Sequence, residues 1–171
     1  LRMFDTAFAE LVPETPLLYP ADLAADIDAL NAEIYDSLNN GVYKAGFAST
    51  QAAYDEAVAG VFATLDRLEA RLDGAFLFGD RFTETDIRLF VTLIRFDAAY
   101  HGLFKTNLRR IADYPRLQAY MERVLRLPGV AETVDIDHIK AGYYSIKTLN
   151  PSGIVPVGPE TVLRLIASLR G

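Results

Sequence analysis

The segment LFGDRFTETDIRLF, residues 77–90, constrains the fold more than any other stretch of the chain. Thr83 is placed as the N-cap of a helix. Its hydroxyl can accept from the Asp86 amide, and the Asp86 carboxylate can reach back to the Thr83 amide. That is a capping box with Asp in place of the usual Glu or Gln. Phe82 and Ile87 take the hydrophobic-staple positions, and Gly79 permits a tight turn just upstream. The helix that starts here is predicted to run to about residue 104. It carries Ile87, Phe90, Val91, Leu93, Ile94 and Ala98, and so is apolar over much of its circumference. Such a helix belongs in the middle of a bundle, and the rest of the chain must supply helices to surround it.

The remaining apolar pattern does so. Leu23, Ile27, Leu30, Ile34 and Leu38 recur at spacings of 4, 3, 4 and 4 and predict a helix over 20–40. Asn39-Asn40-Gly41 is read as its left-handed C-cap. Ser49 or Thr50 starts a second long helix to about residue 72, striped by Tyr54, Val58, Val61, Phe62, Leu65, Leu68 and Leu72, with Gly74 as a C-cap candidate. Pro115 opens a further helix with Leu117, Tyr120, Met121, Val124 and Leu125 on one side, and Leu127-Pro128-Gly129 stops it. Short helices are expected near 130–134 and 137–144. At the start of the chain Leu1, Phe4 and Phe8 share a helical face, which Pro13, Pro16 and Pro20 then interrupt. Residues 148–159, TLNPSGIVPVGP, form an extended tail because Pro151, Pro156 and Pro159 exclude regular helix. Val162, Leu165, Ile166 and Leu169 allow a last amphipathic turn or two. Five to seven helices without an alternating strand pattern make the fold class all-α.

Composition narrows the chemistry. With 51% hydrophobic and 23% charged residues among 171, the chain can build a core. A net charge of −6 offers no basic face for nucleic acid or an anionic membrane. The absence of Cys excludes disulfides, Cys-based metal sites and a cysteine nucleophile within this segment. His101 and His138 lack the spaced carboxylates of a metal site, and Asp137-His138 are neighbours that do not face each other. No apolar run approaches the roughly 20 residues that span a bilayer. The opening LRMFDTAFAE is no signal peptide; it starts with helix already under way, which suggests a piece of a longer protein. Arg95 and Asp97 read as a buried polar pair within the bundle. Lys105, Arg109 and Arg110 read as a solvated face or a contact with another domain. On the bundle alone Tyr43 is an ordinary half-buried tyrosine, Tyr143 and Tyr144 anchor the tail, and Tyr100, His101, Phe104 and Lys105 serve core, surface or a cleft mouth.

Four stretches carry a resemblance to a known family. The Gly-Asp turn, the Thr83 cap and Asp86 resemble the glutathione transferase helical domain. LNAEIYDSLNNGVYKAGFAST (30–50), RFDAAYHGLFKTNLRRIADYP (95–115) and PGVAETVDIDHIKAGYYSIKTLNPSGIVPVGP (128–159) narrow this to the Xi class, the glutathionyl-hydroquinone reductases, which are omega-like glutathione transferases. The resemblance implies a C-terminal helical bundle over 1–159 with an extended tail, and an extension over 160–171. It implies a separate N-terminal thioredoxin-like domain that binds glutathione and supplies a catalytic Cys. The implied reaction reduces an aromatic glutathionyl conjugate, with this domain lining the aromatic side of the cleft. Carried over by motif, Tyr43 and Tyr144 are the catalytic candidates, and Tyr43, Tyr100, Tyr143 and Tyr144 the substrate-binding ones, with Tyr144 favoured over Tyr143 as the ligand-facing member of the pair. Thr83 and Asp86 are structural. The resemblance further implies a cytoplasmic homodimer, no metal, and an inactive isolated segment. Two other readings compete: another transferase, conjugating or dehalogenating, and a non-catalytic interaction module of the kind found in translation factors.

Overall fold

The structure is a computed structural model that describes residues 2–7, 11 and 16–170. Leu1, Phe8 and Pro13, part of the expected N-terminal pattern, lie outside the described residues. A short helix α1 (Arg2–Thr6) leads the chain. Helix α2 (Ala24–Ile34) buries Ile27, Leu30 and Ile34 on one face, as its spacing requires. Leu38 extends that face through a π-helical turn, Tyr35–Asn39.

The chain does not stop at Asn39-Asn40-Gly41. Asn40 keeps right-handed helical geometry (φ −85°, ψ −27°), and α3 (Gly41–Gly46) follows at once. Two contacts explain the difference. The Asn39 side-chain amide donates to the Arg88 carbonyl at 3.0 Å and the Thr92 hydroxyl at 2.6 Å, which fixes the turn on the central helix. Gly41 is required for space, since a Cβ there would lie 2.9 Å from the Val61 side chain. Helix α4 (Gln51–Arg71) is capped by Thr50, whose side chain accepts the Ala53 amide at 3.2 Å. Gly74, expected as its C-cap, is not left-handed. It packs on Gly79, where an added Cβ would come within 2.8 Å of the Gly79 Cα. Gly79 makes the turn itself, with φ +71°.

The central helix α5 (Glu84–Arg95) starts from the expected capping box. Asp86 does more there than cap. Its Oδ2 accepts from the Thr83 amide at 2.8 Å and from the Thr83 hydroxyl at 3.0 Å. Its Oδ1 accepts from the Leu77 amide and the Tyr120 hydroxyl, both at 3.0 Å. Burial pushes this carboxyl above the usual range, and the four hydrogen bonds pull the other way. Leu89, Phe90, Leu93 and Ile94 are buried. Val91 is exposed, so the helix keeps one wet edge. A second π-helical turn, Phe96–Tyr100, and a final turn α6 (His101–Leu103) continue it. Arg95 and Asp97 form no pair with each other among the described residues. Two positions apart on a helix, they point to different sides. Asp97 accepts from the Ile111 and Ala112 amides at 2.7 and 3.2 Å, while Arg95 donates to the Val91 carbonyl at 2.6 Å.

Helix α7 (Pro115–Leu125) has Pro at its first turn and buries all five residues of its expected stripe. Gly129, with φ +79°, turns the chain toward α8 (Ile136–Tyr144), whose N-cap Asp135 accepts the His138 amide at 2.9 Å. The tail then crosses the surface without helix to α9 (Glu160–Arg170), which buries Val162 and Ile166. Arg170 anchors α9 through the Ala131 and Val134 carbonyls. Arg109 and Arg110 pair with Asp66 at 2.6 Å and Asp113 at 2.7 Å, a solvated face. Among the described residues the fold is helical, the only other pairings being two isolated bridges in the Gly79 turn. No helix among them is long and apolar enough to cross a membrane.

Candidate functional site

Three elements converge on one aromatic cluster. Helix α3 brings Tyr43 and, just beyond its end, Phe47. The π-helical turn and α6 bring Tyr100 and Phe104, and α8 brings Tyr143. Close approach is possible because residue 46 is Gly: a Cβ there would sit 2.4 Å from the Phe104 ring. The Tyr100 ring stacks on Phe104 at 5.4 Å and 21°. Tyr143 meets Tyr100 edge-on at 5.2 Å and 90°, and Tyr43 meets Phe104 edge-on at 5.2 Å. Such edge-to-face and offset pairs each add about 1 kcal/mol beyond area burial. They also hold three phenols with their hydroxyls pointing together.

Those hydroxyls form a chain. Tyr43 and Tyr143 lie 2.6 Å apart at their oxygens, and Tyr143 and Tyr100 lie 2.8 Å apart. Tyr143 is therefore the middle member; with a single proton it donates to at most one neighbour and accepts from at least one. Tyr100 is buried, and Tyr43 is 39% exposed at the open end. If protons run Tyr100 to Tyr143 to Tyr43, the Tyr43 hydroxyl keeps its own proton for a ligand. Run the other way, it presents a lone pair. Burial, first among the causes, raises the Tyr143 phenol to about 12, and burial together with the neighbouring phenols raises Tyr100 further. Both stay protonated at neutral pH. The arrangement can bind a phenolic oxygen and pass it a proton.

Of the four tyrosines read from the sequence, the structure brings Tyr43, Tyr100 and Tyr143 together. Tyr144 stands outside the hydroxyl chain. Its OH lies against Gly102, 3.1 Å from where a Cβ would be, and burial raises its phenol. Adjacent residues on a helix face different ways, and it is Tyr143 that faces the cluster. Thr83 and Asp86 sit far along α5 from these tyrosines, in the structural role expected of them. Tyr143 also lines a shallow cavity of about 380 Å³ with Arg95, His138, Ile139, Gly142 and Ile146. Sequence reasoning passed over Lys140, which is buried and donates to the Pro156 and Val157 carbonyls at 3.1 and 3.2 Å. It also passed over Phe47, an exposed ring 5.6 Å from Phe104. The only signal for either was membership in the HIK and GVYKAGF strings. Among the described residues no group of three or more His, Asp or Glu could hold a metal ion.

Comparison with known proteins bears on this site. Residues 51–123 match the family model of the glutathione S-transferase C-terminal domain. The chain is 52% identical over 165 residues to the glutathionyl-hydroquinone reductase PcpF of Sphingobium chlorophenolicum, covering 95% of this chain and 53% of that one. It is 51% identical over 161 residues to the glutathionyl-hydroquinone reductase YqjG of Escherichia coli, covering 93% and 49%. The glutathione-bound structure of YqjG superposes with a TM-score of 0.90 over 92% of this chain and 52% of that one, at 51% identity. A Xi glutathione transferase from Phanerochaete chrysosporium gives 0.90 over 94% and 56%, at 49% identity. The chain spans about half the length of the curated relatives it matches.

Proposed function

The chain carries a glutathione transferase C-terminal helical domain similar to those of the Xi class, and on that premise we propose that it is the aromatic-substrate half of a glutathione-dependent reductase. The reaction converts a glutathionyl-hydroquinone to the hydroquinone and releases oxidised glutathione. An enzyme thiolate attacks the thioether sulfur, an S–S bond forms, and the C–S bond breaks. The electron pair of that bond goes to the ring, which takes up a proton. A second glutathione thiolate then attacks the glutathionyl sulfur of the mixed disulfide; the new S–S bond gives oxidised glutathione, and the bond that breaks releases the enzyme thiolate. The thiolate and most of the glutathione contacts belong, in this reading, to the thioredoxin-like half of a longer protein. The glutathione bound to the YqjG structure supports glutathione as the thiol.

The observation that carries the reading is the hydroxyl chain of Tyr43, Tyr143 and Tyr100. Its open end and the exposed Tyr43 and Phe47 rings offer aromatic surface for the substrate ring. Tyr43 and Tyr143 act as the catalytic pair: Tyr43 meets a phenolic oxygen of the leaving ring, and Tyr143 behind it relays the proton. Tyr100 backs them from the core, and Tyr144 packs beside the site. We further assign the protein to the cytoplasm as a homodimer joined through this helical domain, on the resemblance to the Xi class. The test is hydroquinone release from a glutathionyl-hydroquinone in the presence of glutathione. A longer protein joining this domain to a thiol-bearing half should turn over, and this chain alone should not. Comparable turnover by the chain alone would overturn the proposal.

A further inference from the structure

The tail has a feature that the function above leaves unused. Beyond Leu149 it has little apolar hold on the bundle: Ile154 is 72% and Val157 92% exposed. Polar tethers hold it instead. Lys140, one turn before Tyr143 on α8, is only 5% exposed, and its Nζ donates to the carbonyls of Pro156 and Val157. A buried ammonium is costly unless its protons find acceptors. The one carboxylate near it, Asp137 at 3.6 Å, is on the surface, so the tail carbonyls are its principal partners. Asn150 works at the other end of α8. Its side-chain amide donates to the Tyr144 carbonyl at 2.7 Å and to the Ile154 carbonyl at 3.1 Å. It thereby caps the last turn of α8 and folds the tail back upon it. Gly153, at φ +72°, makes that reversal, and the Ser152 hydroxyl fixes the Asn150 side chain at 3.1 Å.

We propose that Lys140 and Asn150 are positioning residues for Tyr143. By fastening residues 150–157 along α8 they keep its hydroxyl between those of Tyr43 and Tyr100. Tyr143 makes two links under 3 Å to residues on two other elements, and a drift of α8 by about 1 Å would break both. The effect on catalysis rests on the substrate role proposed for the tyrosines. The hydroxyl geometry is a property of this chain and can be read without the reaction.

The test is a rapid jump of the 171-residue chain to pH 11, with tyrosinate absorbance read within milliseconds, before unfolding. An ordinary phenol is about nine-tenths ionised there, and one held at about 12 only about one-tenth. Each variant is compared with its own Tyr143→Phe counterpart, so the difference reports Tyr143 together with the two phenols bonded to it. Loss of a tether lets α8 shift and water reach the phenol that burial holds up, so Lys140→Met and Asn150→Ala should each raise that difference several-fold over wild type. An unchanged difference in a folded variant overturns the role of that residue. Should Lys140→Met fail to fold, Asn150→Ala decides for the tether, since its side chain is only part-buried. Neither readout depends on turnover, so a failure here is separable from a failure of the proposed reaction.

Discussion

Asp86 and Tyr143 each serve as the meeting point of several segments, and only half of each role was legible in the sequence. For Asp86 the local half was plain: three residues after a Thr, it had to serve the cap. Its other donors, the Leu77 amide and the Tyr120 hydroxyl, come from a turn and from α7, and no spacing announces them. Each carboxylate oxygen faces a backbone amide that can only donate, so both positions call for an acceptor, which a carboxylate supplies. Asp86→Asn would aim an NH₂ at buried donors and leave at least one of them unpaired. We expect a loss of about 3 kcal/mol, read by urea denaturation. For the tyrosine pair, the motif singled out both members but not the phase of α8. That phase is set by packing against the π-helical turn, so the preference for Tyr144 had no physical basis that the sequence could supply. The structure gives the central position to Tyr143.

At the scale of elements, glycine was the least legible signal. Gly41 and Gly74 stand where C-caps were expected, yet both are there because a Cβ would strike a neighbour. A glycine in a sequence does not say whether it supplies a left-handed turn or empty space. Only Gly79, Gly129 and Gly153 among the described glycines have positive φ. The two π-helical turns were equally hidden, although one of them sets the direction of Tyr100. Gly46→Ala tests the close-approach account, because its Cβ would overlap Phe104, on which Tyr100 stacks. We expect a loss of about 1–3 kcal/mol and a changed near-ultraviolet circular dichroism signal from the aromatic cluster. Gly60→Ala on α4, where nothing lies within 4 Å, should instead be neutral or stabilising by up to about 1 kcal/mol.

For the whole molecule, the fold class followed from apolar periodicity alone: one helix too apolar to face water, and enough amphipathic helices to surround it. The chemistry did not follow from periodicity. Tyrosines are common in cores, and only the specific strings around Tyr43 and Tyr143–Tyr144 marked these for a substrate. What the fold adds is convergence, since residues a hundred positions apart share a hydrogen bond 2.6 Å long. The cluster is open on the side where Tyr43 and Phe47 are exposed, and the proposed function places the substrate ring there. The most direct measurement is kcat for glutathionyl-hydroquinone reduction in the longer protein, comparing Tyr143→Phe with Tyr144→Phe at unchanged thermal stability. Tyr143→Phe cuts the hydroxyl chain behind Tyr43, and a positioned proton donor is worth on the order of a hundredfold or more, so this change should lower kcat by about that factor, while Tyr144→Phe stays within a few-fold of wild type. A wild-type kcat for Tyr143→Phe, or a greater loss for Tyr144→Phe, would contradict the account.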